Sequence, residues 1–332
     1  MSAYDYELPE EAIAQVPMER RDQARLLVAL DPDRPVEHRQ VTDLPELLEP
    51  GDVLVVNETR VLPARLHLRK PSGGAVEILL LEPEEDGWWQ ALVRPGRRVP
   101  PGTVLEAGAD LTVQVEEALE GGRRRVRLHA ANGADQALAA HGVVPLPPYI
   151  RTPLVDPERY QTVYAAAAGS VAAPTAGLHL TEAVLDRCRS RRIEVATVDL
   201  AVGLDTFRPV TVERAEDHRM HSERYRVPPE TLAACRRARR VVAVGTTTTR
   251  ALESAASGAL EGRTSLFIHG EYRFRLVDAL LTNFHMPRSS LLLLLASFAG
   301  ERWRELYACA LAEGYRFLSF GDAMLVARRP GS

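Results

Sequence analysis

Lysine is almost missing from this chain. Lys70 is the only one in 332 residues, and arginine does the rest of the cationic work, a compositional bias and not a functional signal. Cysteine is scarce as well. Cys188, Cys235 and Cys309 are odd in number, far apart, and form no CxxC pair. That pattern suggests neither a zinc site nor a disulfide framework, and it fits a reducing compartment, the cytoplasm. Aromatic residues make up only 6% of the chain, so its core must rest on Leu, Val and Ala. No apolar run is long. The longest, Leu291 to Ala296, is too short to span a bilayer and reads as a buried helix. The acidic stretch Met1 to Glu11 carries Pro9 and lacks a basic start before an apolar run, so no signal peptide is expected. A basic excess is absent too, since the formal net charge is −4. This weighs against a protein that only binds RNA, although a local patch can neutralise phosphates by itself. What the chain does have is length and 45% hydrophobic residues, enough for a large core and two domains.

The texture changes along the chain. From Asp52 to Leu128 the sequence reads as short strands: 52–56, 65–69, 75–81, 88–93, 111–115 and 125–128. Pro and Gly clusters at 71–74, 95–96, 100–102 and 121–122 punctuate them. Strands and turns at this spacing predict a small antiparallel barrel or sandwich. Past Pro145 helices alternate with strands. Residues 182–192, 229–240 and 249–256 read as helices, and 194–198 and 241–244 as strands. That is α/β texture with βαβ units. The expected architecture is therefore an α/β main domain, a mixed sheet with flanking helices, and an inserted β-barrel. The α/β catalytic domain would be discontinuous, over 1–62 and 146–332, and the barrel would occupy 63–145.

Four segments could carry chemistry. Gly169 to His179 is built almost wholly of small residues and ends in a titratable one. Small side chains let backbone N–H groups approach a ligand, though the same composition suits a turn packed under a sheet. His179 precedes a helix that Thr181 would cap, and helix N-termini attract anions. Val244-Gly-Thr-Thr-Thr-Thr-Arg250 is a second strand–turn–helix junction; it lacks the lysine of a phosphate-binding P-loop and could equally be a well-capped structural helix. Asp217 to Glu223 places His218 and His221 three apart, on one face if helical. No third ligand stands nearby, so they read as hydrogen-bonding or acid–base groups and not as metal ligands. Leu281 to Ser290 sets Asn283, His285 and Arg288 between an apolar strand and the leucine helix, with Ser289 a possible cap. Arg94-Pro-Gly-Arg-Arg98 is read by default as a solvated turn that could contact phosphate.

Taken together, the chain resembles the S-adenosylmethionine:tRNA ribosyltransferase-isomerases of queuosine biosynthesis. The resemblance runs in order through Tyr6 to Gln15, Arg21-Asp22, Pro50 to Leu66, Gly74 to Glu82, Leu146 to Ile150, Glu158 to Tyr164, Gly169 to His179, Thr206 to Val210, His218 to Glu223, Asp278 to Ser290 and Gly321 to Leu325. It implies S-adenosylmethionine as a ribosyl donor and no metal. The acceptor would be 7-aminomethyl-7-deazaguanine at the wobble position of tRNAs with a GUN anticodon (Tyr, His, Asp, Asn). Products would be epoxyqueuosine-tRNA, adenine and methionine. It further implies a monomer without membrane association.

On this resemblance, His179, His218, His221 and His285 are the candidates for proton transfer, with His179 foremost. Ser170, Pro174, Thr175, Ala176, Gly177, Thr206, Phe207, Gly245, Thr246, Thr247, Arg250 and Asn283 would hold the donor. Asn57, Arg60, Arg94, Tyr164, Arg219 and Arg288 would meet the acceptor. The chain departs from the family pattern at several points: Ala201 stands where a histidine is usual, Asp205 replaces a glycine, and Leu180 and Glu58 are also substitutions. Two other readings stand beside the main one: a relative that passes the same ribosyl group to a small-molecule acceptor, and a non-catalytic RNA-binding protein on the same fold.

Overall fold

The computed structural model describes residues 1–108, 110–203 and 210–331. The chain divides into two compact units. One comprises Met1–Thr59, Pro148–Ala167 and Ala173–Ser332; the other comprises Arg60–Pro147 and Ala168–Ala172. The second unit thus takes in a short return segment that lies outside the expected 63–145.

The larger unit is built on a nine-stranded sheet among the described residues. The strand order is Glu261–Thr264, Glu223–Arg226, Glu194–Leu200, Asp52–Asn57, Arg240–Val244, Ala279–Asn283, Ala323–Ala327, Arg25–Ala29, Glu37–Gln40. The four strands from Glu194–Leu200 to Ala279–Asn283 are parallel. Asp52–Asn57 lies near the middle, and all six of its residues are buried. Its unbroken Val/Leu run is what a strand covered on both faces requires. Each such side chain removed from water contributes roughly 1.5–3 kcal/mol. At one edge, Glu37–Gln40 is wholly exposed and reads Glu-His-Arg-Gln. A short charged edge strand discourages pairing with another chain.

Helices close on this sheet with local signals that the sequence carried. Thr181 accepts a hydrogen bond from Val184 N at 3.3 Å and starts Glu182–Ser190. Pro229 opens Pro229–Arg237. Ser289 accepts from Leu292 N at 3.2 Å and starts the buried leucine helix Ser290–Ala299. The helix expected over 249–256 runs instead over Thr246–Ala255. Gly245, at φ +90°, turns the chain directly from strand to helix, a conformation other residues adopt only under strain. Thr248 and Thr249 then donate their hydroxyls back to Val244 O (2.6 Å) and Gly245 O (3.2 Å), which offsets their weak helix propensity. Glu253 of this helix is buried, and its carboxylate accepts the N–H groups of Arg275, Leu276 and Val277 at 2.9–3.1 Å. The conditional helix at 217–223 does not form. Ala215–Asp217 is a single 3₁₀ turn and the chain is extended after it, because Glu223–Arg226 is drawn into the sheet between Glu194–Leu200 and Glu261–Thr264.

The smaller unit is a closed antiparallel barrel. Its strands run Arg65–Arg69, Ala75–Pro83, Trp88–Arg94, Arg123–Ala130, Leu111–Ala118 and Thr103–Ala107, and Arg69 pairs with Glu106 to close the ring. Thr103–Ala107 is a strand beyond those the sequence predicts, since its apolar content is thin. Its burial alternates, with Leu105 and Ala107 turned inward. Leu66, Ile78, Leu80, Val113 and Val126 fill the interior, as side chains do in barrels this small. No helix among the described residues is long and apolar enough to cross a membrane.

Candidate active site

The parallel strands Asp52–Asn57, Glu194–Leu200, Arg240–Val244 and Ala279–Asn283 all end on one side of the sheet, where open α/β folds bind their ligands. An open cleft of about 320 Å³ lies there. Ala173 to Ala176 supply one wall, Gly245 to Thr247 a second, and Thr282, Asn283 and His285 a third, with Val202 and Leu291 completing it. Three segments singled out in the sequence, far apart along the chain, therefore face the same space. The helix behind the second wall makes its first intrahelical bond from Thr249 N to Gly245 O (3.2 Å). The N–H groups of Thr246 to Thr248 precede it and carry the positive end of the helix dipole.

Asn283 organises the site. It ends its strand, and its Nδ2 lies 3.0 Å from His179 Nε2, 104 residues away in sequence. The same amide donates to Leu318 O at 3.2 Å, and its Oδ1 accepts from Thr175 Oγ1 at 2.9 Å. With the amide nitrogen facing it, Nε2 of His179 is an acceptor and Nδ1 bears the proton. Burial, and then the cations of Arg316 and Arg21, lower the His179 pKa to about 4. The ring is neutral at physiological pH, and its one acceptor nitrogen is held by the Asn283 amide. His285 is a second neutral imidazole, which burial lowers to about 3. Its Nε2 lies 2.9 Å from Thr282 Oγ1, its backbone N–H donates to Tyr307 Oη (2.8 Å), and its carbonyl accepts from Tyr6 Oη (2.5 Å). Tyr6 and Tyr307 are supports that the sequence does not mark; nothing local signals that the Tyr6 hydroxyl will meet a peptide group 279 residues away.

A second cluster sits beside the cleft. Arg250 donates to Glu223 in an ion pair that is almost wholly buried. The other carboxylate oxygen of Glu223 accepts from Gly203 N at 3.0 Å and lies 3.1 Å from His221 Nε2. Burial alone would raise this carboxyl, but Arg250, His221 and the Gly203 N–H outweigh it and hold it at about 2. Glu223 thereby ties the second wall to Gly203, at the end of the Glu194–Leu200 arm. His218 is partly exposed and edges onto Phe267 at 5.1 Å; burial, and then His221, lower its pKa.

The remaining expected residues fall in different places. Asn57 is buried and its amide is spent on the sheet: it bonds Leu200 N and O at 3.0 Å each, and Thr247 Oγ1 at 3.4 Å. Gly177 packs so tightly on Tyr164 Oη that a side chain there would overlap it. Arg288, at φ +56°, and Arg219 are exposed. Ser170, which donates to Ala172 O at 2.7 Å, and Arg60 and Arg94 belong to the barrel unit. Thr206 and Phe207, with Asp205, lie outside the described residues.

A cleft lined by neutral His285, by an asparagine that reaches neutral His179 and by an open helix N-terminus, on an α/β sheet with an inserted barrel, is the arrangement of α/β enzymes that bind a polar small molecule at the carboxyl ends of their strands. Comparison with known proteins narrows the class. The family described as "Queuosine biosynthesis protein" matches residues 1–326. A protein of Rubrobacter xylanophilus named S-adenosylmethionine:tRNA ribosyltransferase-isomerase is 53% identical over 97% of this chain and 96% of its own. Its namesake in Thermus thermophilus is 51% identical over 98% and 99%. The crystal structure of S-adenosylmethionine tRNA ribosyltransferase from Thermotoga maritima superposes with a TM-score of 0.56 at 39% identity, covering 98% and 99% of the two chains. This chain belongs to the queuosine biosynthesis protein family.

Proposed function

We propose that this protein is an S-adenosylmethionine:tRNA ribosyltransferase-isomerase. It moves the ribosyl group of S-adenosylmethionine onto 7-aminomethyl-7-deazaguanine in tRNA and isomerises it, giving epoxyqueuosine-tRNA, adenine and methionine. Full-length relatives at about half identity carry that name. The observation in the molecule that best supports it is the convergence of residues 173–176, 245–247 and 282–285 on one cleft.

The residue types suit the chemistry. The sulfonium acidifies the neighbouring ribose C5′ hydrogens, so a neutral base beside the donor can begin the reaction. We assign that base to His179, which is neutral and flanked by small residues; its Nε2 lone pair takes the proton once it leaves the Asn283 amide that holds the ring in place. His285 is the second proton carrier across the cleft. The N–H groups at Thr246 and Thr247 suit the donor's methionine carboxylate. Bringing the acceptor amine to the opened ribosyl chain is then largely a matter of position. His218 and His221 are offered as further proton-transfer groups, Arg250 as a donor contact, and Arg60, Arg94, Tyr164, Arg219 and Arg288 as acceptor contacts. The acceptor tRNAs with a GUN anticodon, the cytoplasmic location, the monomeric state, the lack of a metal and the division into a discontinuous catalytic domain with an inserted barrel rest on the family resemblance.

The experiment incubates the purified protein with S-adenosylmethionine and tRNA bearing the aminomethyl-deazaguanine base. Free adenine and methionine are assayed, and the tRNA is digested for mass analysis. Adenine release with epoxyqueuosine in the digest is expected. No adenine, under conditions in which a relative from the same family works, would sink the reading.

A further inference from the structure

His179 faces two spaces. Through Asn283 it reaches the cleft described above, and its ring also lines a separate pocket of about 290 Å³ with Arg21, Arg159, Leu178 and Phe320. That pocket shares no lining residue with the cleft. Its chemistry is cationic. Arg21 donates to Gln161 O at 2.9 Å, and Arg159 donates to Glu19 O at 2.9 Å and to Met18 O. Backbone carbonyls fix both guanidinium groups while leaving several of their N–H donors unused. Among the described residues neither arginine forms an ion pair, whereas Arg240, Arg187 and Arg237 pair with Asp52, Glu46 and Glu194. Within the pocket's own lining, Arg159 Nε is buried without a partner. Asp156 and Glu158 offset part of the charge on Arg21, and the unused donors of two neighbouring guanidinium groups still suit an added anion.

We infer that the Arg21–Arg159 pocket holds a backbone phosphate of the acceptor RNA, one flanking the nucleotide presented to His179. This rests on the proposed function and adds the subsite that registers the RNA. Arginine forks match phosphate oxygens, and a pocket beside His179 that shares no lining residue with the Thr246–Thr247 cleft suits the acceptor better than the donor.

The test uses the full-length protein and an anticodon stem-loop carrying the modified base. Arg21→Gln and Arg159→Gln should each weaken RNA binding about tenfold, the loss of one charge-assisted contact. Each should also flatten the slope of log K against log salt by about 0.7–0.9. Affinity for S-adenosylmethionine should stay unchanged. With unaltered protein, a neutral methylphosphonate at one phosphate flanking the modified nucleotide should cause at least the same loss, and should cause none beyond it in the double variant Arg21→Gln with Arg159→Gln. This arm stands even if a variant fails to fold. Unchanged RNA affinity and salt slope in both variants, or tolerance of methylphosphonate at every flanking position, would overturn the inference. So would a loss confined to S-adenosylmethionine binding, which would give the pocket to the donor's carboxylate. If the unaltered protein releases no adenine with RNA, the proposed function fails first and this subsite with it.

Discussion

Replacing Asn283 with alanine strikes the one residue that joins His179, Thr175 and the Leu318 peptide. The truncation removes the donor to His179 Nε2 and to Leu318 O, and the acceptor of Thr175 Oγ1. His179 and Asn283 are both buried, so water cannot readily replace the lost partners. Each buried polar group left unsatisfied costs roughly 1–3 kcal/mol, and the total should reach about 2–4 kcal/mol because Thr175 can turn partly toward solvent. In a chain of this size that lowers the melting temperature by roughly 3–6 °C. The kinetic effect should be larger than the fall in stability suggests. Without the amide, His179 is free to change tautomer and rotate, and a misplaced general base costs on the order of 100-fold in kcat. Adenine release is measured at saturating donor, 15 °C below the variant's own melting point so that unfolding does not contribute. The conservative Asn283→Asp keeps the Thr175 acceptor but sets a carboxylate against Nε2. Its His179 should then titrate well above the present value of about 4, and its activity should recover, if at all, on the acid side. Adenine release within about twofold of the parent in Asn283→Ala would refute the assignment of the His179–Asn283 pair to the reaction.

Stability should depend on pH in a defined sense. His179 and His285 have folded pKa values near 4 and 3 against an ordinary 6.5, so between those limits the unfolded chain binds more protons. Unfolding free energy should therefore fall as pH drops below 6.5, by up to about 1.4 kcal/mol per pH unit for each histidine, and urea titrations of His285→Asn should show a shallower slope than the parent. Gly177→Ala drives a methyl group into Tyr164 Oη and should cost roughly 1–3 kcal/mol. Tyr164→Phe removes a hydroxyl that has no partner, should be close to neutral by itself, and should restore most of the loss in the double variant, which chemical denaturation will show. Glu223→Gln strands the buried Arg250 cation and should destabilise by about 3–5 kcal/mol, whereas Glu223→Gln with Arg250→Met should recover much of it; equal losses in single and double variants would refute the pairing.

How far the sequence reveals this molecule depends on whether a feature is local. The strand–turn–helix junction at Gly245, the caps Thr181 and Ser289 and the barrel strands with their Gly and Pro punctuation follow from residues within a few positions of one another, and most can be read directly. The start of Thr246–Ala255 was misplaced by three residues because threonine is a poor helix former in isolation; the back-bonds to Val244 and Gly245 that compensate are visible only in three dimensions. Asp217 to Glu223 shows the stronger form of the same effect. Its two histidines fit a helical spacing, but the unsatisfied ladder between Glu194–Leu200 and Glu261–Thr264 captures Glu223–Arg226 as a strand, and tertiary hydrogen bonds outweigh a weak local preference. The candidate site divides along the same line. Composition marked the small-residue run before His179 and the polar residues between two buried elements at 281–290, yet it could not say that Asn283 would reach His179. That pairing is a consequence of sheet order, which sets Ala279–Asn283 beside Arg240–Val244 and brings the 175–179 turn over its end. Asn57 makes the point from the other side. It lies in the same resembling block as Arg60, at a strand's carboxyl end where a ligand contact is expected, but its amide bonds Leu200 and Thr247 and so holds together two of the strands and the helix that bound the cleft. A polar residue at a strand terminus can therefore shape an active site by closing the sheet behind it, and sequence alone does not separate that task from touching the substrate.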